Sequence, residues 1–235
     1  MELDLDFNVD CPIRQGDLLG FWDWASQPPL GRFGVIITAD CDIANGRPDQ
    51  ELVYLRIVSQ SDYIDIFWSR SKLERARDRA FRDLLPHINR LRRTNDPNAQ
   101  DLDRAEFESW IRSSDATAIA EAIGVDDKLE KKKLIRSLEL THKAVELATA
   151  PPGSSCLDRL IQLNNRTRNE ALAQAINDLR SRRDEIFFLT AFTRTDDDCG
   201  YYVLLDQIGA VRRDQISNSM SEIKRGEKRR IDLAR

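Results

Sequence analysis

The chain has 235 residues, of which 41% are hydrophobic and 32% charged, with a formal net charge of −4. This composition is typical of a globular protein that is long enough for one large domain or two small ones. It excludes an overall basic field, so any polyanion site has to be local, and no apolar run reaches the roughly 18 residues of a membrane helix.

The first sixty residues carry β-strand signals. Residues 1–10 alternate acidic with apolar side chains, which predicts an edge strand or an extended arm that pairs with something else. Their acidic character differs from a signal peptide, so we expect a cytoplasmic protein. Strands are predicted over 16–24, 35–38 and 51–59. The middle one has the short β-branched run of a strand buried on both faces.

Polar residues surround the predicted strand at 35–38. Asp40, Cys41 and Asp42 follow it and Asp17 enters the preceding strand, so we predict a polar rim here. If the strand continues through 42, the two aspartates share a face that suits a magnesium-type ion; Cys41 as a nucleophile is another interpretation. We favour a local cap with a buried thiol, with Asp17 anchoring backbone turns and no metal or cofactor bound.

The four cysteines lie far apart in the sequence, without a C-x-x-C pair. Their spacing does not indicate a zinc site, although Cys11, Cys41 and Cys199 leave that interpretation open. Reduced, partly buried thiols are the interpretation we favour.

From about Ser69 the apolar residues recur every three or four positions, which predicts helices. We expect a long helix with a kink at Pro86, a second over 102–111, a third from Ser114–Asp115 to Gly124, a fourth over 129–148 and helical structure from Ser155. Strand signals return at 185–192 and 201–206, followed by a turn and short strand to 214 and a helix from Gln215. The expected fold class is α+β, with a β domain at 1–64 and 184–235 and an all-helical insertion at 65–183.

The first inserted helix is locally basic, with nine arginines and lysines against three acidic residues between 70 and 93. Arg75, Arg79 and Arg82 are therefore candidate nucleic-acid contacts, although such a run is also typical of a solvated helix face. The stretch from Arg82 to His87 resembles the R-x4-H motif of HEPN ribonucleases, in a helix that Pro86 should distort.

Two parts of the chain resemble the MazF/PemK toxins. Pro12 to Asp17, Gly31-Arg32 and the strand at 35–37 resemble the opening of that fold, and 202–208 with the residues through 216 is similar to its last strands. The resemblance implies a small SH3-like β-barrel, here interrupted by the helical insertion, and a homodimer or an antitoxin or other partner protein.

The same resemblance implies a metal-independent endoribonuclease that cuts single-stranded RNA in a toxin–antitoxin or phage-defence setting. Arg32 stands where the family has its catalytic arginine, and Ser59 stands near its threonine; Arg14 is a further candidate RNA contact. Such a reaction needs a cation for the extra negative charge on phosphorus, which a guanidinium supplies. The alternative is a barrel without catalysis, serving as a scaffold or adaptor whose insertion binds a partner protein or nucleic acid.

Overall fold

In a computed structural model of the chain, the structure describes residues 13–22, 33–46, 50–151, 154–181, 186–189, 200–213, 216–217 and 230–234, with only the backbone for 21–22, 217 and 230–234. They form an α+β protein with two compact units. One unit consists of residues 1–64 and 174–235 and contains the sheet, and the other, residues 65–173, is helical. The predicted insertion extended to residue 183.

The sheet contains seven strands among the described residues: β1 (Leu18–Trp22), β2 (Phe33–Ile36), β3 (Glu51–Ser59), β4 (Ile186–Leu189), β5 (Tyr201–Arg212), β6 (Ile216–Ser217) and β7 (Arg230–Ala234). Their order is β4-β5-β3-β2-β1-β7-β6. Neighbours are antiparallel except β6 and β7, which are parallel. Strands from both ends of the sequence therefore share one sheet.

Strand β5 carries an irregularity where it pairs with β3. Arg56 pairs with Leu204 and Leu55 with Ile208, so residues 205–207 have no partner position in β3. Extra residues of this kind bend a strand and increase its twist. The sequence predicted a strand, a turn at 207 and a second strand here. The structure instead has one bent strand, with a bulge in place of the turn.

Both faces of the sheet are buried. Leu19, Ile36 and Leu52 belong to a cluster on one face, where Ile43 also packs. Their neighbours Leu18, Val35 and Leu55 pack on the other face against Ile57, Tyr201 and Val203. Because side chains alternate along a strand, the apolar run of β2 supplies both clusters. The burial on both faces predicted for residues 35–38 is met in part: Val35 is half-buried and Ile36 is buried, whereas β2 ends there and Ile37 is exposed.

Eight α-helices occur among the described residues: α1 (Asp40–Asn45), α2 (Gln60–Asp62), α3 (Arg70–Asn95), α4 (Arg104–Ser113), α5 (Ala116–Ile123), α6 (Lys128–Thr149), α7 (Cys156–Asn164) and α8 (Arg168–Arg180). A π-helical segment, Tyr63–Ser69, connects α2 to α3. Pro86 lies inside α3, which continues through it to Asn95. Within the described residues, no helix has the length and apolar character needed to span a membrane.

An apolar core lies within the helical unit. It is formed by residues of α3, α4, α5 and α6, with Phe81 and Phe107 in edge-to-face contact at 5.8 Å between ring centroids. Asp103, Asp115, Asp127 and Ser155 cap four of its helices by accepting backbone N–H groups. The predicted limits of the third helix are confirmed, because Asp115 caps it and Gly124 ends it in the left-handed conformation.

Two local predictions differ from the structure. Residues 40–45 form α1 rather than a continuation of β2, since Asp40 and Asp42 in its first turn suit the positive end of a helix dipole. The predicted helix from Gln215 is not found at 216–217 or 230–234, which are strands. Residues 230–234 alternate polar with apolar side chains over a short span, the strand period, which the helix prediction overlooked.

Candidate nucleic-acid interface and sheet rim

Two of the predicted rim carboxylates hold one backbone turn. Asp17 accepts a hydrogen bond from the backbone N–H of Arg14 at 2.8 Å, and Asp40 accepts one from Gln15 at 2.6 Å. Gly16 has the positive φ of 92° that glycine tolerates, and its N–H donates to the Ile36 carbonyl at 2.8 Å. Asp17 is buried, so its position supports the anchoring interpretation made from the sequence. Arg14 itself is exposed.

The remaining rim residues, Cys41 and Asp42, follow Asp40 on α1. Asp42 and Cys41 are exposed, and the Cys41 Sγ lies 3.9 Å from the Asp42 Oδ1. The interpretation that Asp40 and Asp42 share one face of a strand is wrong. Both lie on a helix, where residues two apart point in directions about 200° apart. The predicted burial of the Cys41 thiol is also wrong, since α1 places it toward solvent.

The structure does not assemble a metal site among the residues it describes. No group of three or more His, Cys, Asp or Glu side chains within them is placed to hold an ion. Of the cysteines considered for zinc, Cys11 and Cys199 lie outside the described residues.

The two predicted catalytic residues have different outcomes. Arg32 lies outside the described residues. Ser59 ends β3 and caps α2, where its Oγ accepts the backbone N–H of Asp62 at 3.0 Å and lies 3.0 Å from the Ser61 Oγ. A serine hydroxyl keeps a proton to donate while it accepts a hydrogen bond. Its local geometry is that of a helix cap.

Most of the exposed arginines of α3 lie on one side of the helix. Five exposed arginines lie within an arc of about 80° when successive residues are placed about 100° apart. This arc is opposite the buried side of α3, which includes Leu84 and Ile88. We call these five residues the arginine stripe: Arg75, Arg79, Arg82, Arg90 and Arg93. The three nucleic-acid contacts predicted on α3 thus share one solvent-facing surface with two more arginines.

Acidic neighbours compensate part of this charge. Asp83 lies 3.5 Å from Arg79 and 3.6 Å from Arg82, and both arginine side chains remain about three-quarters exposed, at 76% and 75%. Arg93 pairs with Asp101 at 3.3 Å. Exposed pairs of this kind contribute about 0–1 kcal/mol each, so a phosphate can displace them at small cost.

The R-x4-H pattern does not bring its two residues together. His87 Nδ1 lies 2.8 Å from the Arg90 Nη2, whereas Arg82 pairs with Asp83. Positions five apart on an α-helix differ by about 140° in direction. The resemblance to a HEPN motif therefore gains no support from the placement of Arg82 and His87.

A groove beside β4 was not predicted from the sequence. It has a volume of about 630 Å³ and we call it the β4 groove. It is lined by Gln60, Ile176, Leu179, Arg180, Ile186, Phe187, Phe188 and Tyr202. Burial raises the pKa of the Tyr202 hydroxyl, with a further contribution from Tyr63, while Arg180 acts in the opposite direction. The signal available in the sequence was two consecutive phenylalanines in one strand, which places one on each face.

No protein-family model, curated protein or solved structure matches this chain.

Proposed function

We propose that the chain is an RNA-associated protein in which a divergent MazF/PemK-like, SH3-like barrel carries a helical insertion that binds single-stranded RNA. The observation that carries this proposal is the arginine stripe, five exposed guanidinium groups opposite the buried side of α3.

The spacing of the stripe suits a polyanionic strand. Arg75, Arg79 and Arg82 extend over about 10 Å of helix axis at 1.5 Å per residue. A single polyanionic strand that runs along α3 can therefore contact all three guanidinium groups with a few successive phosphates. Each guanidinium can donate two parallel hydrogen bonds to phosphate oxygens and keeps its charge. The stripe therefore offers backbone contacts, which bind without reading sequence.

The arrangement of the sheet supports the barrel part of the proposal. Gly16 and Asp17 lead into β1, and β1, β2 and β3 are paired antiparallel in chain order. Strand β5 returns beside β3 after the helical unit and bends at residues 205–207. A bent strand of this kind is what a small sheet needs in order to curve toward closure.

RNA cleavage is part of the same proposal and depends on Arg32. Its guanidinium would stabilise the negative charge that builds on phosphorus as the ribose 2′-oxygen bonds to it. The bond from phosphorus to the 5′-oxygen of the next nucleotide breaks in this step, and the proton of the 2′-hydroxyl passes through solvent to that leaving oxygen, which gives a 2′,3′-cyclic phosphate and a 5′-hydroxyl. The Ser59 hydroxyl would donate a hydrogen bond to the reacting phosphate while it remains the cap of α2. This chemistry fits a toxin–antitoxin or phage-defence ribonuclease. A scaffold without catalysis would keep the stripe and not need Arg32.

Binding is tested with a fluorescently labelled single-stranded RNA of about twenty nucleotides, by anisotropy between 50 and 200 mM salt. We expect the Arg75→Ala/Arg79→Ala/Arg82→Ala variant to lose at least about tenfold in affinity. The slope of log K against log salt should fall by about 2, at roughly 0.7 for each phosphate contact removed.

The matched control removes three exposed cations from α6, as Lys132→Ala/Lys133→Ala/Arg136→Ala. Its net charge changes equally, and alanine is favourable in both helices. Affinity should stay within about twofold of the unmodified chain, because these side chains are not part of the stripe. Equal losses in the two variants would mean that net charge alone drives binding, and the stripe would not be the site.

Cleavage is tested separately, with mixed single-stranded RNA in EDTA. We expect cleavage that survives chelation and falls about a hundredfold or more in Arg32→Ala, since one transition-state donor contributes on this scale. Arg32→Lys keeps the charge without the bidentate fork and should recover only part of the rate. A folded chain that binds RNA through the stripe but never cleaves it would contradict the ribonuclease and favour the scaffold.

A further inference from the structure

The β4 groove has an apolar wall that is already formed. Phe187 and Phe188 are 59% and 47% exposed along it. The ring centroids of Phe188 and Tyr202 are 5.3 Å apart, and Phe188 covers Gly200 so closely that a Cβ added there would lie 2.5 Å from its Cζ. These contacts hold the Phe188 ring in place. A volume of about 630 Å³ is within the range of small-molecule sites, roughly 300–1,000 Å³.

Two polar groups accompany this apolar wall. Tyr202 is only 7% exposed, and its hydroxyl forms no hydrogen bond with the part of the chain that the structure describes. Because a buried tyrosine hydroxyl usually has a partner, this one is suited to receive its partner from a ligand. Arg180 of α8 lines the groove and is exposed. Burial raises the pKa of Tyr202 and the Arg180 charge acts against it, so the cation and the hydroxyl act on the same region.

We propose that the β4 groove binds a small aromatic carboxylate, with its rings against Phe187 and Phe188 and its carboxylate on Arg180 and the Tyr202 hydroxyl. The residues that line the groove among those described all belong to the sheet unit. This proposal is independent of RNA binding and of the arm predicted at 1–10, which lies outside the described residues.

The chemistry of the groove favours this class of ligand. A guanidinium can donate two parallel hydrogen bonds to a carboxylate, and the Tyr202 hydroxyl can donate another. Arg180 is the charged side chain among the described lining residues, and no carboxylate lines the groove there, so a single negative charge is matched. Aromatic rings pack on the phenylalanine rings in edge-to-face or offset arrangements that favour an aromatic body over an alkyl chain.

Binding is tested with 2-naphthoate and the full chain, by saturation-transfer NMR of the ligand. We expect a dissociation constant on the order of 1 mM or lower, which a ligand of about a dozen non-hydrogen atoms can reach. Neutral 2-naphthamide has the same rings and should bind at least about tenfold more weakly, because it has no charge for Arg180. No binding of 2-naphthoate up to about 10 mM, or tighter binding of uridine monophosphate, would overturn the proposal.

The charge is tested by Arg180→Gln, which should lower the affinity for 2-naphthoate at least about tenfold and leave that for 2-naphthamide within about twofold. The matched control is Arg168→Gln, which removes an exposed arginine from the first position of the same helix, outside the groove. It should leave both affinities unchanged. Equal losses in the two variants would show that net charge alone attracts the ligand, and the groove would not be its site.

The hydroxyl is tested by Tyr202→Phe, which keeps the ring. The affinity for 2-naphthoate should fall about threefold or more, since a hydrogen bond to a charged group is lost. The thermal unfolding temperature should hardly change, because the hydroxyl has no partner within the described residues. An unchanged affinity in this variant would contradict the assigned position of the carboxylate.

The apolar wall is tested by Phe187→Ser, which should weaken the binding of both ligands about threefold or more. Ile208→Ser removes a similarly accessible apolar residue of β5 outside the groove and should leave both affinities unchanged. If the two variants bind 2-naphthoate equally, its rings lie elsewhere on the protein and the proposal is wrong.

Discussion

The contacts that stabilise the helical unit and those that stabilise the sheet unit differ in how far apart their residues lie in the sequence. In the helical unit, caps such as Asp103 and Asp115 act on N–H groups three residues away, and one core joins consecutive helices. In the sheet unit, Leu18 pairs with Ala234 and Glu51 with Arg212. The helical unit thus depends on local capping and an apolar core. The sheet unit depends on strand pairings between residues that are far apart in the sequence.

This difference gives the largest expected effect, in the helical core. Phe107 is fully buried and packs edge-to-face on Phe81. Phe107→Ala should lower the free energy of unfolding by about 3–5 kcal/mol, through lost transfer energy and the cavity left behind. Hydrogen exchange followed by mass spectrometry should show the loss of protection in α3 to α6, with β3 and β5 little changed.

The control for this prediction is Trp110→Ala on the same helix, where the ring is only partly buried and the cost should be smaller. Equal loss of protection in both units after Phe107→Ala would contradict the view that the units are stabilised separately, because the two cores would then unfold together.

A second prediction concerns a close approach between strands. Gly209 pairs with Tyr54, and a Cβ added at 209 would lie 2.3 Å from the Cζ of that buried ring. Gly209→Ala should therefore destabilise the protein by about 1–3 kcal/mol, as overpacking does. Thermal unfolding at fixed pH measures the loss.

The partner residue shows whether space is the cause. In a Tyr54→Leu background the added Cβ has no ring to clash with. Gly209→Ala should then lower the stability clearly less, so the two substitutions should not be additive. Gly124 in the helical unit is needed instead for its φ of 77°, a local requirement that no neighbouring substitution relieves. Additive costs for Gly209→Ala and Tyr54→Leu would contradict the assignment.

The two units also differ in how far the sequence could predict them. Strand β3 at 51–59, the cap at Ser155 and the end at Gly124 follow from periodicity and capping residues. The pairing of β1 with β7 does not, because the partner of a strand is chosen by packing over the whole chain. Residues 40–45 follow an apolar strand run, and they form α1 because Asp40 and Asp42 in its first turn suit the positive end of the helix dipole.

The candidate sites divide in the same way. The arginines of α3 were visible in the sequence, and their common face follows from the helix period once the helix is known. The β4 groove was not, since it needs α8 packed beside β4 and β5, together with Gln60 from a distant part of the chain. The ion pair between Arg93 and Asp101 was also hidden, because Asp101 lies beyond the end of the helix that carries Arg93, whereas Asp83 is four residues from Arg79 on the same helix.

The smallest effect is a surface ion pair in the helical unit. The hydrogen bond from Arg104 lowers the pKa of Asp78 below its ordinary value of 3.8, and Arg77 acts in the same direction, while burial opposes both. Since the folded state holds the proton less tightly, this pair stabilises the fold above pH 3.8 and the contribution is lost as the pH falls through the lowered pKa. The side chain of Asp78 is 49% exposed, so solvent screens the pair to below about 1 kcal/mol. Denaturation midpoints of the unmodified chain and Asp78→Asn should differ slightly at pH 7 and converge as the pH falls below 3.8. A difference that grows toward acid would mean that the pair opposes folding, and the helical unit would then depend on its core and caps alone.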